Sequence, residues 1–325
     1  MKILTFNHHE SYIALLAETG HDLHVVTKKG SLDLSWGNDR IPCPSNVKCI
    51  EWTEQLQKDI EQGQFAVIII HTIKNLFWVW KVTKTPIIFI AHIPLFKNSF
   101  LKNFKSFFKR TLLKIFMLTH RCHFVCVSPW KSSTWGIAGS IIEPSFNSFP
   151  SLSSEGANPD GFKIALVCNH IKQRQEELGW TTVKQVLAEF PLVIIGNNPD
   201  VAEAVRMKDF ASFQNYLQRF SVYFYPIQIP FGDGYNLALL EAMSMGMVPV
   251  TLFNPSSPVV HMENGLVAHN FDELRQHFHY LKDHPEELRR MGRAAKTSVE
   301  NRFSKKLFLE KWQAVFFAAT RQGGA

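Results

Sequence analysis

Short apolar runs alternate with amphipathic segments along most of this chain of 325 residues. The runs at 2–6, 65–70 and 86–91 are rich in β-branched residues, which is typical of parallel strands buried on both faces. The segments between them carry apolar residues at spacings of three and four, which predicts helices. The alternation predicts an α/β fold with parallel sheets.

The same pattern sets the order of elements in each half. In the first half, strands are predicted at 2–6, 21–27, 47–50, 65–70, 86–91 and 123–127, and helices at 11–18, 97–121 and 129–135. In the second half, strands are predicted at 162–167, 192–195, 221–225 and 248–252, and helices within 176–190, 210–219, 233–246 and 271–320, the last interrupted near Pro285 and Phe303.

A stretch at 144–161, rich in Ser, Pro, Asn and Gly, has the composition of a linker. We therefore expect two doubly wound, Rossmann-like domains, 1–150 and 151–305, facing a central cleft. A terminal helix at 306–325 is expected to pack back on the first domain.

Charge is unevenly distributed between the halves. Residues 62–142 contain eleven Lys and Arg and no Asp or Glu, while the whole chain is +7, so the remainder is net acidic. A basic half of this kind indicates an anionic partner.

Within that half, residues 97–121 combine a stripe of aromatic and aliphatic side chains with interleaved Lys and Arg. This pattern is typical of a helix that lies on an anionic membrane surface. The stripe is also compatible with a helix packed on the sheet, with its lysines in solvent. No nucleic-acid-binding motif accompanies the basic residues, so nucleic acid is not expected as a partner.

Compartment is indicated by cysteine usage and by the start of the chain. The five cysteines are scattered without a Cys-x-x-Cys pair, which favours buried thiols over disulfides or a zinc site. No apolar run reaches the length of a membrane span, and the first residues are too polar for a signal peptide. We expect a cytoplasmic protein, peripheral at the cytoplasmic membrane face.

Two histidines follow predicted strands directly. His71 comes after 65–70 and His92 after 86–91. Ligands of open α/β sheets bind at the carboxyl ends of strands, so both are candidates for a site. The alternative for each is a loop histidine without a role.

The segment 233–246 predicts a tight turn that opens a short helix. Gly234 suits the turn, Asn236 or Asp233 suits the cap, and Gly246 suits the end of the helix. Glu241 is the one charge between 234 and 260, so its carboxylate is expected to be solvated, paired or used. The backbone N–H groups of such a turn favour an anion such as a diphosphate.

This segment resembles the Glu-x7-Glu element of the retaining, nucleotide-sugar-dependent glycosyltransferases of family 4, which have the GT-B fold. The match runs from Asp233 to Glu241 and on through Ala-Met-Ser-Met-Gly-Met-Val-Pro-Val. The segments 261–267 and 283–295, and the Arg-Phe-Ser at 302–304, are similar to later elements of that family. The resemblance is strongest over about 160–305.

The resemblance implies a role for each matched residue. Glu241 would accept hydrogen bonds from the ribose, and Asp233 would lie by hydroxyls of the donor sugar. His92 would lie beside the transferred sugar. The backbone N–H groups of four consecutive residues would bind sugar oxygens and the diphosphate, namely Gly234, Tyr235, Asn236 and Leu237.

The chain also departs from the family pattern. Asp233 stands where the first acid is usually Glu, so its carboxylate is about one methylene short. The family's early Gly-Gly loop is replaced by the polar segment 7–11. Lys172 and Arg174 are the cations available for the diphosphate, and the alternative for both is a solvated loop charge.

We therefore expect a glycosyltransferase that moves a sugar from a nucleotide-diphosphate donor to a saccharide or lipid-linked acceptor. The resemblance implies retention of configuration. Neither an obligatory metal nor another cofactor is expected, and the absence of an Asp-x-Asp from the chain agrees with metal independence. The alternatives are an epimerase or hydrolase of the same fold and a non-catalytic nucleotide-sugar binder.

Overall fold

The structure is a computed structural model that describes residues 1–27, 36, 42–82, 84–95, 100–146, 161–227, 231 and 236–321, without the side chains of 100–104. Its chain divides into two compact units. The first comprises Met1–Pro144 together with the chain from Lys305 onward, and the second comprises Ser145–Ser304. The predicted boundary at 150 lies within residues that the structure does not describe.

The first unit is built around a parallel sheet. Its strands are β1 (Lys2–Phe6), β2 (Asp22–Val26), β3 (Val47–Ile50), β4 (Val67–Ile70), β5 (Ile87–Ala91), β6 (Cys122–Cys126) and β7 (Ser140–Ile141). Its helices are α1 (Glu10–Ala17), α2 (Glu54–Glu61), α3 (Ile73–Val79), α4 (Phe100–Thr119) and α5 (Pro129–Trp135). Among the described residues the strand order is β3-β2-β1-β4-β5-β6-β7.

The second unit repeats the alternation around another parallel sheet. Its strands are β8 (Ile164–Val167), β9 (Leu192–Ile195), β10 (Val222–Tyr225), β11 (Val248–Leu252) and β12 (Leu266–Ala268). Its helices are α6 (Gln175–Leu178), α7 (Trp180–Glu189), α8 (Phe210–Leu217), α9 (Leu237–Ser244), α10 (Phe271–Asp283) and α11 (Pro285–Arg302). The strand order in the described ranges is β12-β11-β10-β8-β9.

The central strands are mostly apolar, as expected where helices cover both faces of a parallel sheet. Every residue of β4, β5, β10 and β11 is buried. The α/β prediction with two doubly wound domains is therefore confirmed.

The last helix, α12 (Lys305–Arg321), belongs to the first unit. Its Trp312 is fully buried. Lys305 forms an ion pair with Glu18 at one end of the helix. Near the other end, Arg121 donates from Nη2 to the carbonyl of Ala319 at 3.1 Å. These contacts attach the helix to both α1 and the sheet region of that unit.

Some elements differ from the predictions. The helix expected within 176–190 is two helices, because Gly179 adopts a left-handed conformation with φ of 60°. The sequence pattern missed α2, α3, β7 and β12. Helices α2 and α3 have eight and seven residues, and strands β7 and β12 have two and three. These elements are shorter than the windows over which hydrophobic periodicity is read.

Candidate active-site regions

A histidine cluster lies at the carboxyl edge of the first sheet. The strand order reverses between β1 and β4, and ligands of open α/β sheets bind at such a switch point. His8 follows β1, His71 follows β4 and His92 follows the neighbouring β5. The switch point thus gathers side chains that are far apart in sequence.

Hydrogen bonds join two of these histidines to the sheet. Thr5 Oγ1 lies 2.8 Å from His71 Nε2, and His71 Nδ1 lies 2.8 Å from His92 Nε2. His71 has one proton to share between these contacts when neutral, so the chain of bonds runs in one direction or the other. In either direction His71 fixes the tautomer and the ring orientation of His92.

The neighbouring rings enclose this pair. His8 and His9 lie with ring centroids 5.2 Å and 5.8 Å from that of His92. Tyr12 of α1 meets His92 edge to face at 4.7 Å, and its other side meets Phe308 of α12 at 6.3 Å. Helix α12 therefore supports the wall of the cluster.

Burial keeps the imidazoles neutral. Desolvation, followed by His8 and His9, lowers the pKa of His71 from 6.5 to about 3. Desolvation and then His71 lower the pKa of His92 well below its usual value. Desolvation is also the main reason that the pKa of the half-buried His8 falls to about 4. At neutral pH these rings offer hydrogen bonds to neutral hydroxyls and carry no charge.

The second candidate region lies at the switch point of the other sheet, between β8 and β10. The loops that follow β8 and β9 are joined here. Asn198 accepts from the Ile171 N–H at 2.9 Å and donates to the Cys168 carbonyl at 2.8 Å. Gly196 has φ of 141°, and a Cβ there would lie 2.1 Å from the Cys168 carbonyl oxygen. The loop that carries the predicted cations is therefore fixed at its base.

Helix α9 begins as the sequence predicts. Asn236 is its N-cap and accepts from the Leu239 N–H at 2.8 Å. Leu237 is the first helical residue. Glu241 is half-buried one turn further on, and Gly246 follows the helix with φ of 82°.

Glu241 shares its surroundings with groups from β8 and β10. The pKa of the buried Tyr223 is raised well above its usual value, first by desolvation and then by Tyr225, Cys168 and Glu241. Asp233, Gly234 and Tyr235 lie outside the described residues, so their predicted roles remain predictions.

The two candidate cations already have protein partners. Lys172 donates from Nζ to the carbonyl of Asp200. Arg174 forms a bidentate ion pair with Glu177, at 2.6 Å and 3.1 Å. That hydrogen bond is the main reason that the pKa of Arg174 is raised. Each cation would have to share or exchange its partner to bind a diphosphate.

The Glu-Asn-Gly-Leu segment has a structural function in this fold. Asn264 is buried, accepts from the Val260 N–H at 2.7 Å and donates to Ser298 of α11 at 3.0 Å. A Cβ on Gly265 would lie 2.6 Å from Pro249 of β11. The segment thus fixes the connection between β11 and β12.

Helix α4 exposes part of its aromatic stripe. Phe107 and Phe108 are 58% and 63% exposed, whereas Phe116 is fully buried against the sheet. Leu118, nearer the end of the helix, is 86% exposed. Packing on the sheet therefore accounts for only part of the stripe. The side chains of Phe100, Lys102 and Phe104 lie outside the described residues.

The described residues lack two further features. No group of three or more His, Cys, Asp or Glu side chains in these ranges is arranged to hold a metal ion. Within the same ranges, no helix combines the length and the apolar composition that crossing a bilayer requires.

Solved structures with the same arrangement of elements are glycosyltransferases of the GT-B fold. Anabaena HepE in complex with UDP superposes with a TM-score of 0.73 at 12% identity, over 98% of this chain and 100% of that one. Sucrose-phosphate synthase from Thermosynechococcus elongatus gives 0.70 at 13% identity, over 98% of both chains. Trehalose 6-phosphate synthase from Burkholderia multivorans gives 0.64 at 11% identity, over 99% of both chains.

The fold of this chain is therefore GT-B, as the sequence resemblance implies. At these identities the likeness shows the fold alone. No protein-family model and no curated protein matches the chain.

Proposed function

We propose that the protein is a glycosyltransferase that uses a nucleotide-diphosphate sugar and transfers the sugar with retention of configuration. The observation that supports this most is α9, with Asn236 as its cap and Glu241 half-buried one turn later, at the switch point of a GT-B carboxyl-terminal unit. HepE, which has the same fold, has been solved with UDP and with UDP-glucose.

In this proposal the second unit binds the donor. The Glu241 carboxylate accepts hydrogen bonds from both ribose hydroxyls, because its two oxygens offer several acceptor directions. The N–H groups from Gly234 to Leu237 bind the diphosphate, and Asp233 binds the sugar. Lys172 or Arg174 adds positive charge as negative charge develops on the leaving diphosphate.

The first unit contributes the acceptor side and His92. A neutral His92, oriented by His71, offers a hydrogen bond to a sugar hydroxyl. The donor phosphate takes the proton of the acceptor hydroxyl, so the reaction needs no general base from the protein. No obligatory metal is proposed, because the N–H groups and the cations compensate the charge.

The donor is identified by a thermal-shift screen of UDP-, GDP-, ADP- and dTDP-sugars. A ligand that binds the native state alone raises the unfolding midpoint. The best donor is then incubated with and without candidate acceptors, and the products are examined by NMR. A glycoside with the donor's anomeric configuration supports the proposal, while free sugar or an epimerised donor in all samples indicates a hydrolase or epimerase. If no nucleotide binds, the proposal is wrong.

We also propose that α4 places the enzyme on the cytoplasmic face of an anionic membrane. The exposed Phe107 and Phe108 supply apolar anchors. Residues 62–142 contain no Asp or Glu, so no acidic residue of this segment neutralises its Lys and Arg side chains. Apolar anchors with interleaved cations are the elements of interfacial binding.

Vesicle sedimentation tests this surface. The variant with Lys102, Lys105, Lys109 and Arg110 replaced by Gln is expected to remain in the supernatant when anionic vesicles are sedimented. The matched control is expected to sediment with the vesicles. It carries Gln at four exposed cations of the second unit, namely Lys184, Lys208, Lys282 and Arg289. Equal loss in both variants would show a general charge effect and contradict a role for α4.

A further inference from the structure

A cavity of about 540 Å³ opens beside the histidine cluster, wholly within the first unit. Its walls come from the carboxyl end of β5 and the loop after it, the start of α3, α4, the end of α5 and the loop after β1. His8 and His92 form part of its lining. A cavity of this size is within the range of small-molecule sites.

The deeper walls are apolar and rigid. Phe89, Leu95 and Trp135 line the cavity and are themselves buried. Trp135 donates from Nε1 to the Ile93 carbonyl at 3.0 Å. The Leu95 N–H donates to Thr134 at 3.0 Å, and Leu95 accepts from Ser106 of α4. The loop after β5 is therefore held from two helices, and the cavity is formed before any ligand binds.

The lining is cationic. Lys74, Lys105 and Lys109 contribute to it, and none of the described residues that line it is Asp or Glu. All three lysines are exposed, so their amines lie toward solvent. Among the described residues no ion pair joins any of them to a carboxylate. Their positive charge is therefore available to a ligand.

We infer that this cavity binds a phosphate group carried by the acceptor. The inference rests on the proposed function and adds to it the chemical class of the acceptor. The lysines bind the phosphate oxygens by charge-assisted hydrogen bonds, and the part of the acceptor next to the phosphate packs against Phe89 and Trp135. His8 remains for a hydroxyl of the acceptor, while His92 faces the transferred sugar.

Two sources supply such a group, a lipid phosphate and a phosphorylated sugar. Octyl phosphate and glucose 6-phosphate are the probes for them, and octanol and glucose are their neutral counterparts. Binding is measured by calorimetry at low salt, without vesicles and below the micelle concentration of octyl phosphate. We expect at least one phosphate probe to bind more than tenfold tighter than its counterpart, and its affinity to fall as salt is added. The probe that binds identifies the source.

Point variants locate the binding. Lys74→Gln, Lys105→Gln and Lys109→Gln are each expected to weaken binding of the phosphate probe by up to about fivefold, the effect of losing one solvent-exposed charge pair. Lys81→Gln and Lys114→Gln remove the same charge nearby, outside the cavity lining, and are expected to leave the affinity unchanged. Equal weakening by the control variants overturns the inference, as does a phosphate probe no tighter than its neutral counterpart.

Nucleotide-sugar binding, measured on the same preparations, separates this inference from the proposed function. A protein that binds the donor but not the phosphate probes retains the proposed function and refutes the inference. A protein that binds phosphate probes at the three lysines but no nucleotide refutes the proposed function, and with it the assignment of the ligand as an acceptor.

Discussion

The burial of His71 predicts how much folding stability the protein loses at acidic pH. Its pKa falls from 6.5 to about 3 in the folded protein. Between these values the unfolded chain binds a proton at this position and the folded protein does not. Stability is therefore lost as the pH falls below about 6.5, and the loss continues until the folded ring titrates.

Of the stability lost between pH 7 and pH 5, His71 alone accounts for about 2 kcal/mol, from about 1.4 kcal/mol for each pH unit in this window. His8 and His92, whose pKa values are also lowered, add losses of their own in the wild type and in the His71→Gln variant. The figure for His71 depends on the pKa of the unfolded chain. Any folded pKa of about 4 or below gives nearly the same loss, because the folded ring is neutral at pH 5 in every such case. The buried position of His71 between Thr5 and His92 is thus enough to fix it.

The assay is urea unfolding followed by tryptophan fluorescence at pH 7 and pH 5. Of the tryptophans in the described ranges, Trp180 alone lies in the second unit, so the signal reports mainly the first. His71→Gln keeps an amide for the Thr5 and His92 contacts and removes the titration. Each protein is compared with itself at the two pH values, so the variant's own destabilisation cancels.

The variant is expected to lose about 2 kcal/mol less than the wild type on acidification. His279→Gln, which removes an exposed histidine of α10, is the control and is expected to behave as the wild type. If His71→Gln loses as much stability between pH 7 and pH 5 as the wild type does, the claim that His71 is buried and neutral beside His92 is wrong.

Three further substitutions test other contacts. Gly292→Ala places a Cβ 2.2 Å from the Gly246 carbonyl oxygen. The free energy of unfolding in urea is therefore expected to fall by about 1–3 kcal/mol, and nucleotide binding at α9 is expected to weaken. An unchanged midpoint of urea unfolding would contradict this close approach. Glu177→Gln removes the partner of Arg174 and is expected to tighten nucleotide-diphosphate binding by up to about fivefold in calorimetry; weaker binding would show that Arg174 needs Glu177 to hold it in place. Trp312→Ala empties a fully buried site in α12 and is expected to cost about 3–5 kcal/mol in unfolding of the first unit; a loss below about 1 kcal/mol would contradict its burial.

Local sequence is enough to predict every strand except the short β7 and β12, and to place Asn236 among the two candidates for the cap of α9. The apolar runs ending at Ile70 and Ala91 place His71 and His92 at strand ends, and these ends are where the structure has them. Asn236 caps α9 because its short polar side chain reaches the Leu239 N–H. Each of these features depends on residues within one turn or one strand.

The contacts between histidines were beyond the reach of the sequence pattern. The bond from His71 to His92 depends on β1, β4 and β5 lying side by side, and hydrophobic periodicity does not give strand order. The sequence shows that the polar segment 7–11 replaces the Gly-Gly loop. It does not show that His8 of this segment lies beside His92. The direct sequence signal was two histidines that each follow a buried strand.

Side-chain direction and pairing were equally hidden. The stripe of 97–121 did not show that Phe107 and Phe108 face solvent while Phe116 is buried, since the helix can rotate on the sheet. Arg174 pairs with Glu177 because the N-cap residue of α6 and the third residue of that helix are three positions apart and lie on the same face.

The central claim is that Glu241 binds the ribose of a nucleotide diphosphate. Calorimetry with UDP and 2′-deoxy-UDP, or with the corresponding pair for the base selected by the thermal-shift screen, tests it most directly. The wild type is expected to prefer the ribonucleotide about tenfold, for one charge-assisted hydrogen bond. Glu241→Ala is expected to abolish that preference, and Glu203→Gln, at an exposed site of the same unit, to retain it. A wild type that binds neither nucleotide, or a Glu241→Ala variant that keeps the full preference, would contradict the account.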